Sequence, residues 1–162
     1  VKHRVGIGYD AHRFAPDREL VLGGVAIPDA PGLAGHSDAD VLTHAVMDAL
    51  LGAAGLPDIG ELFPDTDGRY AGADSLGLLR QVAEAVTGAG WRIENVDAVV
   101  VCESPRLAPH REAMRTALAG AASVEASRVG LKATTTEGMG FEGRGEGIGA
   151  TAVCLLVSAD EA

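Results

Sequence analysis

The stretch 38–54 constrains the fold more than any other part of the chain. Its apolar residues fall at 41, 42, 45, 46, 49 and 50, the spacing of a helix that buries one broad face. A helix that apolar needs a sheet or further helices to lie against, and the rest of the chain supplies them. Residues 4–9 and 20–27 read as strands, and 58–72 as a loop broken by Pro64 and Gly68. Residues 75–88 read as a second helix, capped by Ser75, with Leu76, Leu79, Val82, Ala83 and Val86 on its stripe. Residues 93–102 form a strand and 109–122 a third helix with Pro109 in its first turn. Residues 129–135 and 148–158 are the last strands, joined by glycine-rich chain. The order β-β-α-α-β-α-β-β has no linker or repeat. It predicts an α+β fold: one domain over 1–162, a mixed β-sheet with helices packed on one face.

Charge and cysteine usage narrow the function. The net charge of −10 argues against nucleic-acid binding. It also means that any phosphate ligand needs local compensation, from metal ions or backbone N–H groups. Apolar runs such as 152–157 are too short to span a bilayer, so the expectation is a soluble, cytoplasmic protein. Cys102 and Cys154 lie in apolar strand-like runs and read as buried reduced thiols. The 22 glycines cluster at 6–8, 23–24 and 138–149, where backbone turns sharply or meets a ligand.

Two constellations can carry chemistry. Asp10 and His12 sit two apart after the first strand; if the extended backbone continues, both project to one side. Alone, the pair would suit a solvated strand end equally well. On the 38–54 helix, however, Asp40, His44 and Asp48 form a polar stripe, with His44 set among Val41, Leu42, Ala45 and Val46. Asp10, His12 and His44 then make an N,N,O donor set with a fourth position open, the arrangement of a catalytic zinc site. Asp40 or Asp48 could orient an imidazole from behind. The second constellation is Lys132-Ala133-Thr134-Thr135-Thr136-Glu137 and the glycine-rich run after it. Threonine hydroxyls and backbone N–H groups there can hold phosphate oxygens, Arg144 can pair with them, and Glu137 offers a hard ligand for Mg²⁺ or Mn²⁺. A threonine-rich strand leading into a flexible hairpin would look the same. The Gly6-x-Gly8-x-x-Ala11 and Gly145-x-Gly147-x-x-Ala150 runs do not connect a strand to a helix, so neither supports a dinucleotide site.

Taken together, the motifs closely resemble the 2-C-methyl-D-erythritol 2,4-cyclodiphosphate synthase family. The matching stretches are Gly8-Tyr-Asp-x-His-Arg-Phe, Leu22-Gly-Gly-Val, His36-Ser-Asp-x-Asp, His44, Asp58-Ile-Gly-x-Leu-Phe-Pro-Asp-Thr-Asp67, Pro105-Arg, and Lys132-Ala-Thr-Thr-Thr-Glu through Gly143-Arg-Gly-Glu-Gly147. The resemblance implies a homotrimer with active sites between subunits and a cytidine diphosphate substrate. It makes Asp10, His12 and His44 ligands of Zn²⁺, and Glu137 the ligand of a second divalent ion, Mg²⁺ or Mn²⁺. His36 and Ser37 match the pair near the substrate's 2-phosphate, and His36 and Thr135 the contacts to the transition state. Thr134, Thr135 and Thr136 accompany Glu137 around the phosphates. Asp58, Ile59 and Gly60 match the ribose side; Phe63, Pro64, Asp65, Thr66 and Asp67 match a lid over the erythritol. Cys102, Glu103, Ser104 and Pro105, continuing through Arg106, Leu107 and Ala108, match a cytosine pocket formed mainly by backbone. Phe141 and Arg144 fall on the remaining positions.

The resemblance departs at Thr151, where some relatives carry a glutamate paired with an arginine at the trimer axis. The departure counts against isoprenoid binding in a central cavity. The implied reaction is attack by a phosphate monoester oxygen on the β-phosphorus, expelling CMP; it rests on positioning and charge neutralisation. Two other readings use the same residues: a zinc-dependent nucleotide-diphosphate hydrolase with His36 as base, and a non-catalytic trimer that binds isoprenoid diphosphates.

Overall fold

The first strand, β1 (His3–Ala15), shows how the chain divides into layers. Gly6 and Gly8 face one side and are buried, whereas Val5, Ile7 and Tyr9 face the other and stay 73%, 69% and 59% exposed. The covering helix is α1 (Val41–Ala54). A Cβ at Gly6 or Gly8 would run into the carbonyl oxygens of Ala49 and Ala45, so these two glycines let α1 lie flat on the strand. The computed structural model describes residues 2–159.

The remaining elements follow in order. A hairpin of β2 (Leu20–Leu22) and β3 (Val25–Ile27) precedes a short β4 (Gly32–Leu33). After α1 come α2 (Ile59–Leu62), α3 (Ser75–Gly88), β5 (Trp91–Val101), α4 (Arg111–Ala122), β6 (Val129–Thr134), α5 (Gly140–Gly143) and β7 (Gly147–Ser158). The main sheet runs β4-β1-β7-β5-β6, antiparallel except for the β5–β6 pair. Helices α1, α3 and α4 cover its buried face, packed over Val96, Ala98 and Val100 of β5 and Ile148, Ala150 and Ala152 of β7. The expected single-domain α+β arrangement, a mixed sheet with helices on one face, is therefore what the chain adopts.

Two expectations are corrected. Residues 20–27 are not one strand but the separate two-stranded sheet β2–β3, because Gly23 and Gly24 both take positive φ, 55° and 73°. Two central residues at positive φ make a tight hairpin turn, which glycine allows without strain. The 58–72 segment is also less open than expected, since Asp58 caps the short helix α2 by accepting from Glu61 N at 3.0 Å. At the start of α1 the cap is Asp40; at α3 it is Asp74, leaving Ser75 as the first helical residue.

Candidate active site

Because β1 stays extended through Ala15, Asp10 and His12 project to the same side as Gly6 and Gly8, beneath the N-terminal turns of α1. His44, in the second turn, points back at them. Asp10 Oδ2 lies 2.8 Å from His12 Nε2 and 3.0 Å from His44 Nδ1, and the two rings are 5.4 Å apart. Among the described residues this is the cluster of acid and imidazole donors placed to share one ion.

The electrostatics fit that use. Burial pushes the Asp10 carboxyl up, but hydrogen bonds and charge from His12 and His44 outweigh it and hold its pKa at about 2. Burial depresses His12, yet its bond to Asp10 raises it overall. In the metal-free chain the carboxylate is thus satisfied by imidazole protons on its inner side. A dication fits in place of those protons, since ligands must deprotonate to bind it. The outer nitrogens are held as well. His12 Nδ1 donates to Ala34 O at 2.6 Å, so Nε2 is the atom left to ligate. Two nitrogens and one carboxylate oxygen suit zinc.

The expected partners behind the imidazoles are corrected. Asp40 is fully buried and turns away, accepting from Gly23 N, Gly24 N, Thr43 N and Thr43 Oγ1 at 2.7–3.0 Å. It ties the hairpin to α1, because a carboxylate placed that deep needs every lone pair filled. Asp48 instead accepts from Ile59 N at 3.0 Å and holds α2 against α1. Behind His44 stand Ser37 and Ser75, whose Oγ atoms lie 3.2 and 3.1 Å from Nε2. Ser75 had looked only like a helix cap; its place beside His44 depends on the α1–α3 packing, which no local pattern reveals. Arg18 is a second unforeseen residue. It donates to Gly35 O and Ser37 O at 2.6 and 2.5 Å and so fixes the turn that carries His36 and Ser37.

A cavity of about 390 Å³ opens beside the triad, lined in part by His36, Ser37, Ile59, Gly60, Phe63 and Asp65. His36 Nε2 approaches Asp67 O at 3.4 Å. Phe63 stacks edge-on against Tyr70 at 5.3 Å, and Asp67 pairs with Arg69, its Oδ2 2.6 Å from Nη2. Of residues 58–67, Ile59, Gly60, Phe63 and Asp65 thus border the cavity beside the Asp10, His12 and His44 cluster. Pro64 and Thr66 belong to the same loop, without a polar side-chain contact of their own among the described bonds.

The other candidate residues lie elsewhere on the sheet. Asp10 pairs with Ala150, Ala150 with Val100, and Val100 with Ala133. Three strand spacings separate the ends of that row, about 14 Å. Thr134, Thr135 and Glu137, which follow Ala133, are exposed, while Thr136 is half-buried. Glu137 takes positive φ, 54°, and its N–H donates to Thr135 Oγ1 at 3.2 Å. The 102–108 segment packs on this turn: Cys102 N donates to Thr134 O at 3.1 Å. Glu103 accepts from Thr136 N and Gly138 N at 3.1 and 3.2 Å. Its carboxylate shapes the turn, while Cys102 and Leu107 are buried and Ser104, Arg106 and Ala108 stay exposed around Pro105. Phe141 lies in the short helix α5, and Arg144 follows it directly. Phe141 reaches the strand near Arg13, and Arg144 pairs with Glu146 at 2.9 Å. Within one chain, the triad and the Glu137 turn are not brought together.

Comparison with known proteins is consistent along the whole chain. The model of the YgbB family matches residues 3–157. A 2-C-methyl-D-erythritol 2,4-cyclodiphosphate synthase of Rubrobacter xylanophilus is 63% identical, covering 95% of this chain and 94% of its own. The protein of the same name from a Nostoc species is 60% identical over 98% and 96%. A solved synthase in a CDP-bound form superposes with a TM-score of 0.87 at 40% identity, covering 95% of this chain and all of the other, 100%. A bifunctional IspDF from Campylobacter jejuni gives 0.93 at 43% identity, over 97% of this chain but only 42% of that longer one.

Proposed function

This chain belongs to the YgbB family, and from that premise we infer the reaction it catalyses. It is an enzyme of isoprenoid precursor synthesis, a phosphorus–oxygen lyase that converts 4-diphosphocytidyl-2-C-methyl-D-erythritol 2-phosphate to 2-C-methyl-D-erythritol 2,4-cyclodiphosphate and releases CMP. The observation that carries the reading is the convergence of Asp10, His12 and His44 beside a cavity of phosphate-ester size. An oxygen of the 2-phosphate attacks the β-phosphorus. The bond from that phosphorus to the bridging oxygen breaks, and CMP leaves with the electron pair. The nucleophile is already ionised at neutral pH, so no general base is required.

Asp10, His12 and His44 hold Zn²⁺, and Glu137 holds Mg²⁺ or Mn²⁺. Bound there, the two ions supply Lewis-acid polarisation of phosphate oxygens and offset the charge of an acidic chain. His36 and Ser37 take the 2-phosphate; Ser37 Oγ already accepts the Ala39 N–H at 3.3 Å, so its own proton is available to a phosphate oxygen. Thr135 and His36 contact the transition state. Asp58, Ile59 and Gly60 receive the ribose, the 63–67 loop covers the erythritol, and the backbone of 102–108 reads cytosine.

Three copies complete the site. The apolar sheet face of Val5, Ile7, Tyr9 and Val153 supports a homotrimer closed about that surface, because a contiguous exposed apolar patch is an association surface. The separation of the triad from the Glu137 turn supports sites shared between neighbours. Among the described residues no helix is long and apolar enough to cross a membrane, and the two buried free thiols fit a reducing, cytoplasmic setting. Incubation with the CDP-activated substrate tests the reading. Phosphorus NMR should show two coupled diphosphate resonances of a cyclic product, whereas free monophosphates would make the protein a hydrolase instead.

A further inference from the structure

His12 and His44 face the same carboxylate, but their outer nitrogens are held in different ways. A backbone carbonyl can only accept, so Ala34 O alone decides the tautomer of His12. His44 Nε2 meets two hydroxyls, and a hydroxyl can donate or accept. Asp38 resolves that ambiguity. Ser75 Oγ donates to Asp38 Oδ1, and Ser75 N donates to Asp38 Oδ2 at 2.9 Å. With its one proton committed to a carboxylate, Ser75 Oγ presents only lone pairs to His44, 3.1 Å away. His44 satisfies it by carrying a proton on Nε2, so in the neutral imidazole the Nδ1 lone pair, 3.0 Å from Asp10 Oδ2, is the one left to bind an ion. Ser75 is fully buried and His44 nearly so, so bulk water does not compete for that bond.

We propose that Asp38 and Ser75 form a positioning relay for the metal: through them His44 is fixed as an Nδ1 ligand and its ring is held on the Asp10 side. Neither residue belongs to the donor set, and neither touches substrate. The inference rests on the reading of Asp10, His12 and His44 as the zinc site. It also explains why α3 begins where it does. Ser75 is its first residue after the Asp74 cap, and Asp38 draws both the Ser75 hydroxyl and its N–H, so one carboxylate ties the first turn of α3 to the aim of His44. Loss of the relay leaves a buried imidazole N–H with only Ser37 and frees the ring to rotate.

Ser75→Ala should weaken zinc binding, measured by chelator competition with zinc alone, by roughly 10- to 100-fold, the usual consequence of losing a partner behind a metal ligand. The spectroscopic signature is more specific. In cobalt-substituted wild type, proton NMR should show two exchangeable, hyperfine-shifted imidazole N–H signals, one from each histidine. In Ser75→Ala the His44 signal should broaden or vanish while the His12 signal stays. Asp38→Ala keeps the Ser75 hydroxyl but releases its proton; it should move both readouts in the same direction, and it carries the test if Ser75→Ala does not fold. A folded variant with unchanged zinc affinity and both N–H signals overturns the relay. A wild-type protein that takes up neither zinc nor cobalt overturns the metal-site reading and this inference with it, a result distinct from loss in the variants alone.

Discussion

Asp10, His12 and His44 sit on β1 and α1, packed so closely that two glycines are needed between them, whereas Thr135, Glu137 and the 102–108 segment lie beyond the ends of β5 and β6. In the first region side chains are fixed before any ligand arrives: every imidazole nitrogen has a partner, and α1 is buried along most of its length. In the second region the side chains are more exposed and bond mainly within their own turn: Thr135 Oγ1 accepts from Glu137 N, and Thr136 Oγ1 donates to Met139 O. Glu103 holds the turn from below, Glu137 sits at positive φ, and Thr134, Thr135 and Glu137 are exposed. On the proposed function the difference follows from the tasks: a metal site held within one chain is preorganised, while a surface that would meet a neighbour and a nucleotide keeps its polar groups exposed.

The largest expected contrast is in stability. Gly8→Ala places a methyl against the Ala45 carbonyl and should cost more than about 4 kcal/mol, enough to leave little folded protein. Gly138→Ala has open space around it and a φ of 78°, so it should cost only about 1–2 kcal/mol. Urea titration followed by circular dichroism measures both. Equal costs would mean that the two regions are packed alike.

Metal content gives the next contrast. His44→Ala should lose its zinc and drop in turnover by on the order of 10²–10³-fold, the scale of removing one electrostatic element from a site. Glu137→Gln should lose comparable activity yet keep full zinc. Elemental analysis beside the activity assay separates the two, and zinc loss from Glu137→Gln would merge the regions into one.

These regions were not equally legible in the sequence. The helix 41–54 and the strand alternation follow from apolar spacing, and the Asp10-x-His12 pair needed only continued extension of β1 to be placed. The hairpin at Gly23-Gly24 was missed as a break because Leu20–Leu22 and Val25–Ile27 together look like one apolar run. Ser75 and Arg18 could not be recognised, since each works through a contact made by tertiary packing with a residue tens of positions away or in another loop. For the same reason the stripe Asp40–His44–Asp48 suggested partnership along one helix face. Burial of Asp40 and capture of Asp48 by Ile59 N each send the carboxylate elsewhere.

Smaller effects sharpen the comparison. Glu103→Ala removes two hydrogen bonds, both accepted by Oε1, from the Glu137 turn and should raise the apparent KM several-fold, each such exposed bond contributing about 1 kcal/mol, with zinc content unchanged. If zinc falls too, the turn is coupled to the triad within a chain. Smallest is thiol reactivity. Burial raises both Cys102 and Cys154 to about 11, so both thiols are sluggish and their reaction depends on local opening. Cys102, at the end of β5, should react with a disulfide reagent a few-fold faster than Cys154, which lies under α1. Equal rates would contradict a more open second region.

The central claim is that each working site joins the triad of one subunit to the Glu137 turn of its neighbour. His44→Ala and Glu137→Ala chains, each nearly inactive alone, can be unfolded together in equal amounts and refolded into mixed rings, with composition checked by native mass spectrometry. Random assembly in a closed ring restores both intact halves in roughly one site in four, so activity near a quarter of wild type is the result expected. Mixed trimers that recover no activity would place each site within a single chain and contradict the account.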